Sequence, residues 1–152
     1  MYTKLSGPNR LFAGLAVLAL AAAWLLPGCG DGRPERISVR GRITLDGGPM
    51  PDPGMIYFTS LKAAPGFPKR PGTAPFDTDG EFTAGTFEPG DGLMPGRYAV
   101  TVVCWKKAPG MGQPEGESHL PEQYGDQEHG GWALTVEPGS DAIELKYDAR
   151  SP

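Results

Sequence analysis

Two cysteines, at 29 and 104, and two histidines, at 119 and 129, are the whole stock of thiol and imidazole in 152 residues. A pair of cysteines cannot supply the disulfide framework on which small secreted domains depend. No stretch has the 3.6-residue apolar period of a long amphipathic helix, which leaves strands to build the fold. Basic side chains are in the minority, 14 against 18 acidic, and that sign speaks against a nucleic-acid partner. What the chain has in quantity is glycine, 23 residues, and proline, 17. They are scattered without a collagen period, as expected of many turns joining short strands.

The one long uncharged apolar run, 11–26, follows Lys4 and Arg10. That order is a signal peptide's. A helix needs roughly 20 apolar residues to span about 30 Å of hydrocarbon, and this run stops short at Pro27 and Gly28. The segment Leu26-Pro27-Gly28-Cys29 resembles the lipobox of bacterial lipoproteins, with Pro27 its imperfect match. The resemblance implies cleavage after Gly28, a diacylglycerol on Cys29 through a thioether, and acylation of the new amino group. Each buried methylene contributes about 0.8 kcal/mol, so several acyl chains hold where one holds marginally. Loss of Lys4 and Arg10 leaves 12 basic residues against 18 acidic. With Cys29 committed to lipid, only Cys104 remains and an intramolecular disulfide is impossible in the mature form.

The remainder has single-domain length. The organisation expected is a signal peptide over 1–28, a lipid anchor and short tether over 29–36, one β domain over 37–148 and a tail over 149–152. Ile37, Val39, Ile43 and Leu45 take odd positions against polar even ones, the period of a half-buried strand, with Gly41 marking a bulge or close backbone approach. Asp46-Gly47-Gly48-Pro49 turns the chain into a second strand, 54–59, expected to pair with the first. Residues 61–75 carry four prolines, two glycines and three basic side chains, which suits a loop or irregular edge. After an Asp77-Thr78-Asp79-Gly80 turn come a short strand with Phe82 inward and the strongest strand, 98–105, expected to lie centrally. Cys104 shares parity with Tyr98, Val100 and Val102 and so faces inward as a small apolar filler. Residues 106–131 lose all periodicity, and loops of that length are usually functional or mobile. Trp132, Leu134 and Val136, then Ile143, Leu145 and Tyr147, read as a C-terminal hairpin.

Gly41-Arg42-Ile43-Thr44-Leu45-Asp46-Gly47-Gly48-Pro49-Met50, then Gly54-Met55-Ile56-Tyr57-Phe58, Thr78-Asp79-Gly80-Glu81-Phe82 and Pro95-Gly96-Arg97-Tyr98 resemble the transthyretin-like, or carboxypeptidase-regulatory-like, domain. The similarity runs over about 37–147. It implies an all-β fold, an antiparallel seven-stranded prealbumin-like Greek-key sandwich after the N-terminal signal helix, used as a binding, adhesion or accessory module. Function has still to be argued from a site.

Some ring-cleaving dioxygenases put two tyrosines and two histidines on iron in such a sandwich, and His119, Tyr124 and His129 share one loop here. Their close histidine pair is missing, and a glycine-rich loop needs a rigid frame to form a metal pocket. The transthyretin-related hydrolase of purine-derived rings needs an N-terminal histidine and a terminal motif that Tyr147-Asp148-Ala149-Arg150-Ser151-Pro152 does not supply. Neither Ser118 nor Cys104 has a base and orienting acid at predictable positions. Asp77-Thr78-Asp79-Gly80-Glu81 lacks the downstream glutamate of a calcium loop, and aspartate and glycine serve a turn equally well. The first strand has no lysine for an isopeptide. The expectation is a non-catalytic module without cofactor or metal, held to the membrane on the periplasmic or cell-surface side. It would present Trp105, His119, Tyr124 and His129 to an envelope protein or polysaccharide; a small-ligand or metal-dependent enzyme built on 106–131 is the alternative.

Overall fold

A computed structural model describes residues 33–112, 116–126 and 131–152. The signal segment, Gly28, Cys29 and His129 lie outside the described residues. Pro34–Pro152 forms one compact unit. Its strands are β1 (Val39–Leu45), β2 (Gly54–Ala63), β3 (Gly72–Phe76), β4 (Glu81–Thr83), β5 (Gly96–Val103), β6 (Trp105–Lys107), β7 (Glu117–Ser118), β8 (Trp132–Val136) and β9 (Ile143–Ala149).

Seven strands form one curled sheet in the order β8-β5-β2-β3-β4-β1-β9, and β6 and β7 pair separately. The fold is all-β and sandwich-like. The four-strand part β8-β5-β2-β3 joins the three-strand part β4-β1-β9 through few paired positions, Phe76 with Phe82 and Thr73 with Gly85 just beyond β4. At that hinge the sheet doubles over, because each part has one apolar face and both faces enter a single core. Ile56, Phe58, Val100 and Val102 of one part share that core with Val39, Ile43, Phe82 and Tyr147 of the other. The curl brings the two end strands together: the rings of Trp132 on β8 and Tyr147 on β9 stack at 4.5 Å between centroids.

The sheet is mixed, which corrects the antiparallel expectation. β1 runs parallel to β9 from Val39 with Ile143 to Leu45 with Ala149. Gly41 permits the approach, since a Cβ there would collide with the Leu145 carbonyl oxygen. The other neighbour of β1 is β4, so the first two strands do not pair as expected. Nor do the last two form a hairpin, for β8 pairs with β5 and β9 with β1 at opposite ends of the order. A turn at Pro138-Gly139 serves a crossing between the two parts as well as it serves a hairpin.

The proline-rich segment holds more order than its composition suggests. β2 continues to Ala63 past a bulge between Ser60 and Lys62, and β3 pairs with it. Pro75 is tolerated in β3 because its missing N–H would face away from β2. The Thr73 amide, two residues earlier, points to that same side and donates to the Gly85 carbonyl at 2.9 Å. β5 is interior, paired on both sides, and Cys104 beyond it is fully buried. The 106–131 stretch is likewise less irregular than expected: β7 folds back on β6, a 3-10 turn covers Glu122–Tyr124, and Leu120 and Tyr124 are buried.

Candidate interaction face

The two parts of the sheet turn different chemistry outward. On the four-strand part the outward positions are Met55, Tyr57 and Thr59 of β2, Arg97, Ala99, Thr101 and Val103 of β5, Thr73 and Pro75 of β3, and Ala133 and Thr135 of β8. Alternation alone puts them there, since Ile56, Phe58, Val100 and Val102 occupy the inward positions. Cross-strand pairing joins them into a continuous surface: Tyr57 lies between Thr101 and Thr73, Met55 between Val103 and Pro75, and Ala99 between Thr59 and Ala133. Arg97 and, past the bulge, the exposed Lys62 opposite it bring positive charge to one edge of this surface. Tyr57 keeps 42% of its surface exposed and Leu61, at the bulge, 48%.

The three-strand part carries a lattice of charge. Arg40 stands between Thr83 and Glu144, and Arg42 between Glu81 and Lys146. Arg42 Nη2 meets Glu81 Oε1 at 2.9 Å. Asp148 accepts from the Gly47 amide and the Thr44 hydroxyl, each at 2.8 Å. The Gly47 amide first, and then the Thr44 hydroxyl, hold its carboxyl below the usual carboxylate range. An open hollow of about 750 Å³ lies over this face, bordered by Arg40, Arg42, Glu81, Glu144, Lys146 and Pro89. Most of its charges lie beside an opposite one, and exposed pairs of this kind are worth about 0–1 kcal/mol each.

Beyond the end of β5, His119 Nε2 and Asp52 Oδ2 are 2.7 Å apart, tying β7 to the loop before β2. The Cys104 thiol donates to the Asp52 carbonyl at 3.2 Å. Burial pushes the pKa of that thiol up, which lowers its thiolate fraction and its reactivity. The Ser118 hydroxyl donates to the Cys104 carbonyl at 3.3 Å, so its proton is not directed at the imidazole. Tyr124 is buried; its hydroxyl accepts the Arg150 amide at 2.9 Å and its ring lies 5.1 Å from that of Trp132. Trp132 and Tyr147 continue this row of rings to Phe82.

Of the residues singled out from sequence, Trp105 opens β6 in the β6–β7 hairpin and is 37% exposed, His119 is half-buried against Asp52, and Tyr124 belongs to the aromatic seam. His119 and Tyr124 take separate partners. Among the described residues no cluster of three or more histidine, cysteine, aspartate and glutamate side chains is placed to hold a metal, and no helix is long and apolar enough to cross a membrane. Sequence reasoning missed Tyr57 and Leu61. Their signal was the unbroken apolar run 55–58, in which both faces of a strand are apolar and alternation disappears. Asp52 gave no signal, because its partner is 67 residues away.

No family model matches the chain, and neither a curated protein nor a solved structure is significantly similar to it.

Proposed function

We propose that the chain is a lipid-anchored extracytoplasmic module that works by binding, with the outer face of β3-β2-β5-β8 as its contact surface and an envelope protein as its partner. The exposed ring of Tyr57 and side chain of Leu61, among neutral Met55, Thr59, Thr73 and Pro75 and edged by Arg97 and Lys62, carry this reading. Exposed apolar area is costly in water at about 25 cal/mol per Å², and a contiguous patch of it marks an interaction site. A broad sheet face suits another protein's surface better than a small ligand, which would need a concave pocket with convergent polar groups. The His119–Asp52 pair acts as a clamp on the loop before β2, and the module is non-catalytic.

We assign the architecture to the seven-stranded prealbumin-like sandwich of transthyretin-like domains. The order of the sequence motifs supports this, as do the division into four and three strands and the core they share. The anchor is the diacylglyceryl thioether on Cys29, in keeping with the lipobox-like Leu26-Pro27-Gly28-Cys29.

Two measurements test the proposal. Intact mass of the membrane-fraction protein gives a chain starting at Cys29 with added lipid in wild type and no lipid in Cys29→Ala; an unmodified full-length chain contradicts the anchor. In mild detergent extracts of its native cells, the wild type migrates as a complex that Tyr57→Asp combined with Leu61→Asp dissolves. A wild type migrating alone, or a complex removed by polysaccharide-degrading enzymes, contradicts a protein partner.

A further inference from the structure

The strand registers give the domain two poles. Ile37 is fixed at one of them by reciprocal backbone bonds with Leu93, 2.8 and 2.9 Å. Gly96, where β5 begins, and Val136, where β8 ends, pair at this pole, and the Gly139 amide donates to the Glu35 carboxylate at 3.0 Å there. β5 runs from this pole to the other, and beyond its end lies the β6–β7 hairpin with Trp105 and Met111. The eight residues of β5, at about 3.3 Å each, separate the poles by roughly 26 Å.

Cys29 is eight peptide steps from Ile37 in sequence. Even fully extended, those steps reach no more than about 29 Å. A lipid on Cys29 therefore keeps the Ile37 pole close to the bilayer. That pole carries an exposed aromatic on a braced loop. Phe87 is 41% exposed, and the Arg36 guanidinium carbon lies 5.8 Å from its ring centroid. The Asp91 carboxylate holds the loop by accepting the Thr86 amide at 2.7 Å and the Phe87 amide at 3.3 Å, and Arg36 Nε lies 3.4 Å from it. An exposed apolar ring on a loop braced by an internal Arg36–Asp91 pair matches the headgroup region, where the ring leaves water while the pair holds the loop.

We infer that this pole rests on the lipid surface through Phe87, so that the Trp105 hairpin is held on the far side and points away from the membrane. The inference rests on the lipid-anchored reading of Cys29. Attachment of the tether makes insertion of Phe87 intramolecular, so one ring suffices where it would not recruit a free protein.

The test uses the full-length chain, processed in its cells and reconstituted in vesicles of phosphatidylethanolamine and phosphatidylglycerol. A polarity-sensitive fluorophore is placed on Glu88→Cys or on Met111→Cys; Cys104 is buried and Cys29 is blocked by its thioether. Nitroxide-bearing lipids are expected to quench the label at 88 at least about twofold more than the label at 111, and Phe87→Ser in the Glu88→Cys background to remove most of that difference. Equal quenching at 88 and 111, or quenching at 88 indifferent to Phe87→Ser, overturns the orientation while Cys29 still carries lipid mass. Absence of lipid mass on Cys29 overturns the anchoring reading itself, and with it the inference.

Discussion

The two outward faces of the sheet share one core and differ in what they show to water. On β4-β1-β9 most charges have neighbours to answer them, Arg42 with Glu81 and Asp148 with Thr44 and Gly47. On β3-β2-β5-β8 the corresponding positions hold Met55, Tyr57, Ala99, Thr101 and Val103, and cross-strand packing buries Ala99 and Thr101 although they point outward. The core requires neither arrangement, because Phe58 and Ile43 are equally buried beneath the two faces. A polar face costs nothing to leave in water, whereas an apolar one is retained where something covers it.

The largest effect should come from removing what the two faces share. Phe58→Ala takes a fully buried ring from the core and should cost about 3–5 kcal/mol, read as a large fall in denaturant midpoint with near-UV signals of both parts lost together. If one part keeps its signal, the faces belong to separable units. Gly80→Val should be nearly as damaging, since Gly80 has φ +75° and a Cβ there would strike the Ile43 carbonyl oxygen.

Two core tyrosines sharpen the comparison at a smaller scale. The Tyr98 hydroxyl donates to the Met94 carbonyl at 2.7 Å, while among the described residues the Tyr147 hydroxyl is buried without a partner. Tyr98→Phe should therefore lose about 1 kcal/mol, and Tyr147→Phe should be neutral or stabilising, in parallel urea titrations. Burial pushes both phenols up to about 12 from the ordinary 10.0. Above pH 10 the unfolded chain releases these protons while the folded chain keeps them, so stability falls from pH 10 towards 12. Tyr147→Phe should flatten that fall; an unchanged alkaline slope would remove Tyr147 from the account.

The smallest effects on stability separate the faces themselves. Arg42→Ala, which breaks an exposed ion pair, should change stability by less than about 1 kcal/mol and leave partner binding intact. Tyr57→Asp with Leu61→Asp should be similarly mild for folding and yet abolish binding. Equal effects of the two variants on binding would erase the distinction between the faces.

The strands beginning at Val39, Gly54 and Gly96 were legible because an alternating or dense β-branched and aromatic run is a local property. So was inward Cys104, by parity with Val102. Strand partnership was not local: β1 joins β9 over a hundred residues on, and glycine and proline turns look alike whether they lead to a neighbour or across the sheet. β3 was hidden because Pro75 is a poor strand residue except where, as here, its missing amide lies on the side away from the long partner strand, β2. Among site residues, Trp105 could be placed at a strand end by sequence. The role of Tyr124 as a packed ring with an engaged hydroxyl depends on Trp132 and Arg150, which only the fold brings near.

The most direct test of a working face and an idle one is photo-crosslinking in native cells, with a photoreactive phenylalanine analogue at position 57 or at position 42. The account predicts a discrete protein adduct from position 57 and none from position 42. Adducts of equal yield from both, or from position 42 alone, would contradict it.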